Sequence, residues 1–579
     1  MKPQLLQGSR SRILAGLVLL IAAIFVLRLF YLQIIQHDHY VAQAQAEQVK
    51  RETLPATRGE IYAMDGDTPV KLVMNQMVYT VFVDPVIIED TEEVAKVMRE
   101  IAGGNLRDNF EELLSLKSTR YQIIANRVTR AQADKIKEKD LSGIGFVDVS
   151  QRVYPEGVMA AQTLGFVNAE GVGNYGVEGY LNTALTGKAG RLETVKDVSD
   201  VPLTIGDRNI RDPAVNGENV VLTLDRNVQS KVEEVVRSRA KKLNAGLVSA
   251  VVMDPKTGRV MAMANTPSYN PAEYYKVTDA AVFNNSVISK SYEPGSTVKT
   301  FTMSAALDKN IAKASDTYYN SDRIVIDDYT ISNATLGNTG VISFQTAMNW
   351  SLNTGFVTLG MRMGDGNSVN ATARNTIYQY FHDRFRLGQA SGIELSNEAP
   401  GRLVPPTEAE GNEIRYANMT FGQGMDSTMI QVAAGFSALV NGGDYYKPTI
   451  LAGSVEDGQY VPAKTPQPTE SGVISSAASK QIRDMTRIAR ASTFSQADKS
   501  GYAIGGKTGT AQIPEAGGYS DSETIATYVG YGGASAPEYV IMVSVYGKDK
   551  VFQGSYHAAP IFTEISNWML DYLKIQPKG

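Results

Sequence analysis

Tyr292-Glu293-Pro294-Gly295-Ser296-Thr297-Val298-Lys299 reads as a turn running into a buried helix, and it sets a hydroxyl beside an amine. Pro294 and Gly295 make the turn, and the apolar run Phe301, Met303, Ala305, Ala306 and Leu307 continues as a helix. Ser296 then stands at a helix N-terminus, where its backbone N–H is unpaired and open to an oxyanion. Lys299 follows one turn later, so its amine can stack over the Ser296 hydroxyl. A serine needs an adjacent base to become a nucleophile, and a desolvated lysine near another cation can supply it. Alone, S-x-x-K arises by accident in a chain of 579 residues, with Ser296 a plain N-cap and Lys299 solvated.

Two downstream elements change that balance. Ser351-Leu352-Asn353 follows the amphipathic run Phe344 to Trp350, and Lys507-Thr508-Gly509-Thr510 follows a Gly-Gly pair. Each tripeptide is weak evidence, but S-x-x-K, S-x-N and K-T-G in that order form a specific signature of serine acyl transfer.

The length calls for two or three domains, and 43% hydrophobic with 20% charged residues is globular composition. A net charge of −5 gives no support to nucleic-acid binding. With no cysteine, disulfides, thiol catalysis and cysteine metal sites are excluded. The four histidines (His37, His39, His382, His557) are scattered, leaving little material for a zinc site or a histidine triad. Ile13 to Leu27 is unbroken apolar sequence, extended past Arg28 to Leu32, and is long enough to cross a bilayer. Lys2, Arg10 and Arg12 precede it without an acidic residue, which puts the N-terminus inside and the chain after Ile35 outside. Ala42-Gln43-Ala44 resembles a signal cleavage site but lies too far from the apolar core, so an uncleaved anchor is expected.

After the anchor, Asp38 to Glu52 reads as a polar helical stalk and Pro55 to Tyr62 as a turn into a strand. Val78 to Pro85 alternates like a strand, while Thr91 to Ala102 and Arg107 to Leu116 have helical spacing. The turn-rich blocks around Arg152 to Gly165 and Gly176 to Gly187 carry no nucleophile–base logic and read as structural. The polar run Asp197 to Asn219 is the best domain boundary. From Val220 a strand, a helix (Asn227 to Leu243) and a hairpin around Asp254 to Gly258 follow. Thr524 to Gly530 and Tyr539 to Tyr546 are further strands, before a last amphipathic helix with Ile561, Phe562, Ile565 and Met569 on one face. Gln512 to Ser522, with Pro514 and two glycines, reads as a mobile polar loop over the site.

These stretches together resemble the class B penicillin-binding proteins, the peptidoglycan D,D-transpeptidases, from the anchor to the last helix. Tyr31 to Ile34, Arg58 to Ile61, Arg152 to Gly165, Gly217 to Gln229, Asp254 to Pro271, Glu293 to Lys299, Ser351 to Asn353, Phe421 to Gly424, Asn441 to Gly443 and Lys507 to Gln512 carry the resemblance. Ala63 to Gly66, Gln162 and His557, which precedes the Ala-Ala-Pro of the last helix, depart from the family pattern, away from the catalytic set. The resemblance implies an α+β fold: a single transmembrane helix, a mixed α+β pedestal, and a penicillin-binding transpeptidase domain whose central antiparallel sheet is covered by helices. Mapped onto this chain, it implies a cytoplasmic tail at 1–12, an anchor at 13–35, a pedestal at 36–219 and a transpeptidase domain at 220–579.

It also implies roles. Ser296 attacks the carbonyl of a D-Ala–D-Ala stem peptide, Lys299 takes its proton, and Lys507 depresses the pKa of Lys299 by like-charge repulsion. Ser351 relays the proton to the leaving D-alanine, and Asn353 orients Lys299 and the substrate amide. Thr508 and Thr510, with Lys507, hold the substrate's terminal carboxylate, Gly509 counts with them as a substrate-binding residue, and the N–H groups of Ser296 and Thr510 form the oxyanion hole. An amine of a second stem peptide resolves the acyl-enzyme. No cofactor or metal is called for, and β-lactams are expected inhibitors. The implied setting is the bacterial cytoplasmic membrane, with the catalytic domain outside. The implied partners are a separate membrane glycosyltransferase, since no glycosyltransferase motif precedes Val220, and division-complex proteins, the length and single anchor resembling the division type more than the elongation type.

Two other readings compete. Gly501 to Thr508 fits the phosphate-loop pattern G-x-x-x-x-G-K-[ST], but Gly509 and Pro514 interrupt any following helix and no acidic residue ends the strand Val540 to Val545. A β-lactamase or β-lactam sensor on the same fold would place a hydrolytic glutamate among Glu394, Glu398, Glu408 and Glu410, in a segment that instead resembles the transpeptidases' own.

Overall fold

The alternating strands Leu247–Met253 (β1) and Val260–Thr266 (β2) pair as a hairpin and form one side of a five-stranded antiparallel sheet. Its other members come from the far end of the chain, Ala503–Glu515 (β3), Gly518–Gly533 (β4) and Tyr539–Tyr546 (β5), in the order β2-β1-β5-β4-β3. This is a computed structural model, and it describes residues 7–40, 49–195, 210–494, 496–515 and 518–578. Both faces of the sheet are covered, which explains why its strands are apolar on both sides. Val248, Ala250 and Val252 of β1 pack with Val228, Val232 and Val235 of helix α1 (Arg226–Leu243) and with Ile561, Phe562 and Ile565 of the last helix. The alternate residues Val251 and Met253 face the main core, with Phe301 and Met303 of α2 (Lys299–Asp308) and the twelve buried residues of α3 (Met429–Val440). Fully burying each Leu, Ile, Phe or Met side chain contributes about 1.5–3 kcal/mol against exposure, so this two-sided core anchors α2 rigidly.

Helix α4 (Ser476–Phe494) crosses beside β3 and carries Arg490, whose side chain is fully buried. Its guanidinium donates to Asp498 at 2.6 and 2.7 Å, to Tyr528 Oη at 2.7 Å and to Thr563 Oγ1 at 2.8 Å. That single charge joins α4, β4 and α5 (Ala559–Tyr572), and the sequence carries no local sign of it.

A second sheet of seven strands runs Gln459–Pro462, Leu451–Glu456, Val220–Asp225, Ile61–Asp65, Thr68–Val83 and Gln122–Thr129, with Ile144–Val153 also paired to Thr68–Val83. Val220–Asp225 lies parallel to Ile61–Asp65 and antiparallel to Leu451–Glu456. Close by, Arg152 forms a buried ion pair with Glu178 (2.7 Å) and its Nη1 also donates to Gly59 O and Asn75 Oδ1, giving the turn-rich blocks their structural reason.

The chain divides into two compact units. Residues 59–185 and 218–579 form the one just described, so the expected division at 219/220 is followed by a strand that shares a sheet with residue 61 onward. Residues 1–58 and 186–217 form the other, with the antiparallel strands Val49–Leu54, Gly190–Val195 and Ile210–Asp212. It includes the apolar helix Gln7–Phe30, and the span Arg10–Ile35 has mean hydropathy 2.8 with none of its most apolar window buried, as a membrane-crossing segment requires.

Several local expectations change. The helical stalk over 38–52 gives way at Val49 to a strand, because Gly190–Val195 supplies a pairing partner that local propensity does not register; residues 41–48 lie outside the described residues. Arg107 to Leu116 is helical only over Phe110–Leu114. The polar loop Gln512 to Ser522 is the outer end of the β3–β4 hairpin, with Pro514 opposite Tyr519 and Glu515 opposite Gly518. The register shifts between Gln512 and Pro514, so the proline falls at an irregularity of the ladder. Most of the boundary run 197–219 lies outside the described residues, which resume at residue 210.

Candidate active site

Gly295–Val298 forms a 3-10 turn leading straight into α2. In that winding residues three apart eclipse, so Ser296 and Lys299 project from the same side. Gly295 has φ +60, and a Cβ there would meet the Thr510 carbonyl at 3.0 Å; Gly295 N donates to Gly422 O at 3.0 Å. The serine turn is thereby wedged between β3 and the segment after Phe421.

The S-x-N element is shaped by the end of helix Phe344–Trp350. Ser351 adopts the left-handed conformation (φ 58, ψ 41) that stops the helix, and Asn353 begins the next, Asn353–Arg362. This reversal turns the Ser351 hydroxyl and carbonyl towards Lys299. K-T-G lies in the middle of β3, not in a loop before a helix, and this removes the phosphate-loop reading.

Lys299 is fully buried. Its Nζ lies 2.6 Å from Ser351 O, 2.7 Å from Asn353 Oδ1 and 3.2 Å from Ser351 Oγ; Ser296 Oγ is not among these partners. Asn353 presents its oxygen because its Nδ2 donates to Ser332 O at 2.8 Å. The two close acceptors, a carbonyl and an amide oxygen, use both protons of a neutral amine and leave its lone pair to receive a third. Burial, and secondarily the charge of Lys507, hold Lys299 well below the usual lysine range.

Lys507 is also buried, and burial brings it down to about 7. Its Nζ donates to Ser351 Oγ at 2.9 Å, Thr508 O at 3.0 Å and Thr508 Oγ1 at 3.1 Å. Ser351 Oγ therefore sits between two amines 208 positions apart in sequence, within proton-transfer reach of both.

Ser296, Ser351, Asn353, Thr508 and Thr510 line one cleft of about 540 Å³. Gly509 is absent from its lining. A Cβ at Gly509 would meet Thr527 Oγ1 at 2.3 Å, Thr297 Cγ2 at 3.0 Å and Pro294 O at 3.1 Å, so this glycine lets the strand lie against the serine turn. Thr510 Oγ1 accepts from Gly554 N at 3.1 Å, which leaves its own proton for a ligand. The cleft also takes in residues the motif reading did not single out as site residues: Tyr329 to Ser332, Trp350, Asn418, Phe421, Gln423 and Gln512. The spaced glycines of Phe421-Gly422-Gln423-Gly424 were a usable signal of close backbone approach, whereas Tyr329 to Ser332 carries none. Among the described residues no group of three or more His, Asp or Glu could hold a metal ion.

The arrangement suits serine acyl transfer: a hydroxyl on a helix-leading turn, a buried amine of depressed pKa one turn on, a hydroxyl bridging two amines, and a strand that presents an amine and hydroxyls. Comparison with known proteins agrees. Residues 248–567 match the penicillin binding protein transpeptidase domain, and residues 53–222 the penicillin-binding protein dimerisation domain. The chain is 30% identical over 557 residues to stage V sporulation protein D of Bacillus subtilis, covering 95% of this chain and 84% of that protein. It is 26% identical over 575 residues to the peptidoglycan D,D-transpeptidase FtsI of Buchnera aphidicola, covering 97% and 95%. Among solved structures, penicillin binding protein 2X from Streptococcus thermophilus matches with TM-score 0.74 at 21% identity, over 91% of this chain and 80% of that one. Penicillin binding protein 3 from Mycobacterium tuberculosis, complexed with aztreonam, matches with TM-score 0.67 at 24% identity, over 91% and 98%.

Proposed function

The chain belongs to the class B penicillin-binding proteins of division type, the peptidoglycan D,D-transpeptidases, and we propose on that premise how its residues divide the chemistry. Ser296 attacks the D-Ala–D-Ala carbonyl and passes its proton to the lone pair of Lys299, whose two N–H groups are already committed to Ser351 O and Asn353 Oδ1. Ser351, lying between Lys299 and Lys507, hands that proton to the departing D-alanine amine. The backbone N–H groups of Ser296 and Thr510 receive the oxyanion. Lys507, Thr508 and Thr510 take the terminal carboxylate; its charge raises the pKa of Lys507 again and keeps that amine cationic while substrate is bound. Gly509 serves by permitting the close approach. An incoming amine of a second stem peptide then attacks the acyl-enzyme through the reverse relay and forms the cross-link. β-lactams enter as mimics of the D-Ala–D-Ala end and remain as an ester on Ser296.

The proposed chain plan keeps a tail at 1–12, an anchor at 13–35, a pedestal at 36–219 and the transpeptidase domain at 220–579, with the N-terminus inside and the catalytic domain outside the cytoplasmic membrane. Lys2, Arg10 and Arg12 ahead of the apolar helix support that orientation. Septal wall synthesis, with a separate membrane glycosyltransferase and division-complex proteins as partners, is the setting we favour, supported by the resemblance to FtsI.

The observation that carries the assignment is the Ser351 hydroxyl held between Lys299 and Lys507 at one wall of the cleft that Ser296 also lines. Fluorescent penicillin followed by peptide mapping tests it. The label belongs on Ser296, and Ser296→Ala abolishes it without lowering the melting temperature; an adduct on another serine refutes the assignment.

A further inference from the structure

Glu293 stands three residues before Ser296, and nothing in the relay uses it. It is buried, at 8% exposure, and its carboxylate accepts two hydrogen bonds from different elements. Its own backbone leads, through Pro294, into the serine turn. Its Oε1 accepts from Gly424 N at 2.7 Å, in the segment that supplies Phe421 and Gln423 to the cleft. The same oxygen accepts from Tyr519 Oη at 3.2 Å, and Tyr519 lies at the outer end of the β3–β4 hairpin, opposite Pro514. Oε2 is buried and has no hydrogen-bond partner among the described residues. A buried carboxylate without a cation is an expensive thing to keep, so a structural role alone would be better served by an amide.

We propose that Glu293 is a positioning residue whose carboxylate ties the outer end of the β3–β4 hairpin and the Gly424 segment to the nucleophile turn, holding the cleft closed around Ser296. The inference rests on the assignment of Ser296 above. β3 carries Lys507, Thr508, Thr510 and Gln512, and Gly509 to Ala511 lie close against the serine turn. Beyond Gln512 its register shifts, so the hairpin's outer end needs a separate tether to keep Gln512 and Thr510 facing Ser296. The tie is strong when the acceptor is charged and weak when it is a neutral acid.

The charged and titratable groups facing Glu293 are few. Tyr519 donates from the hairpin, Asp426 repels from its own loop, and Arg415 attracts from the helix Glu413–Met419. Arg415 is committed elsewhere, to Glu410 and to Gly424 O, and forms no ion pair with Glu293. Burial, the largest influence, raises the Glu293 carboxyl to about 7. The sign is therefore fixed: the charged tether is complete above neutrality and is lost as pH falls through that value.

The full-length chain in detergent, acylated by a fluorescent penicillin from about pH 5.5 to about 8.5, tests this. The readout is the ratio of wild-type to Glu293→Gln rate at each pH, in which the shared titrations of Lys299 and Lys507 cancel. The ratio is expected to climb by about tenfold with its midpoint near neutrality, the scale of one charge-assisted hydrogen bond. Tyr519→Phe should flatten the wild-type profile in the same way, and the double variant should lose no more than either single one. Glu293→Asp, still charged but one methylene short, should keep the inflection at smaller amplitude. A ratio near one throughout overturns the proposal. A pH-independent loss accompanied by a lowered melting temperature also overturns it, because that is the mark of a packing role. If penicillin fails to map to Ser296 in the wild type, the nucleophile assignment falls; if it maps there and the ratio is flat, only the tether falls.

Discussion

Lys299 and Lys507 are the same side chain in two different sets of acceptors. Lys299 faces a carbonyl and an amide oxygen, and its usable lone pair appears only when it is neutral. Lys507, on β3, lies against two hydroxyls and the Thr508 carbonyl. A guanidinium stays protonated in a protein, so Lys299→Arg should lower acylation by about 10³ at unchanged secondary structure. Lys507→Arg keeps a cation for carboxylate and should cost only about tenfold. The parental acylation rate should fall as pH rises above about 7, where Lys507 of the free enzyme loses its charge, and Lys507→Arg should not show that fall. Equal losses at the two positions, measured with one β-lactam, would put the base elsewhere. The same depressed value has a stability counterpart. The unfolded chain holds the proton up to the ordinary lysine pKa while the folded chain releases it near neutrality, so folding becomes more favourable as pH rises across that window.

Among elements, the contact that sets the serine turn is backbone against backbone. Gly422 has φ +97, and a Cβ there would lie 1.9 Å from Gly295 O. Gly442 also has positive φ (+119), but a Cβ there meets nothing within 4 Å. Both alanine variants carry the left-handed conformational penalty, and Gly422→Ala alone adds the collision. It should lose about 1–3 kcal/mol more stability than Gly442→Ala and acylate at least tenfold more slowly, as thermal melts and stopped-flow labelling would show. Equal behaviour of the two variants would mean that the Phe421 to Gly424 segment does not hold the turn. The hairpin β3–β4 teaches the complementary point: its polar, proline- and glycine-containing end reads as a loop, yet pairing with β4 carries the ladder out to Glu515.

For the molecule as a whole, the apolar helix is the part that the rest does not need for packing. Its most apolar window is unburied, while the sheet, α2 and α3 share one continuous core. Deletion of residues 1–35 should therefore give a soluble protein that labels with penicillin at the rate of the detergent-solubilised full chain; a soluble, folded but unreactive product would show that the N-terminal part contributes to the site. The sequence by itself determined this anchor, the strand and helix periodicities at both ends of residues 220–579, and the three ordered motifs, because each is written in neighbours within one or two turns of chain. It could not determine that the helical reading at Val49 and the loop reading beyond Gln512 would give way to strands, since a strand exists only with its partner. Nor could it determine that Ser351 would lie between amines 208 residues apart, that Tyr329 to Ser332 would wall the cleft, or that Arg490 would join α4 to β4 and α5. Those facts depend on how distant segments pack against one core, and the burial produced by that packing is what moves Lys299, Lys507 and Glu293 away from their ordinary titration.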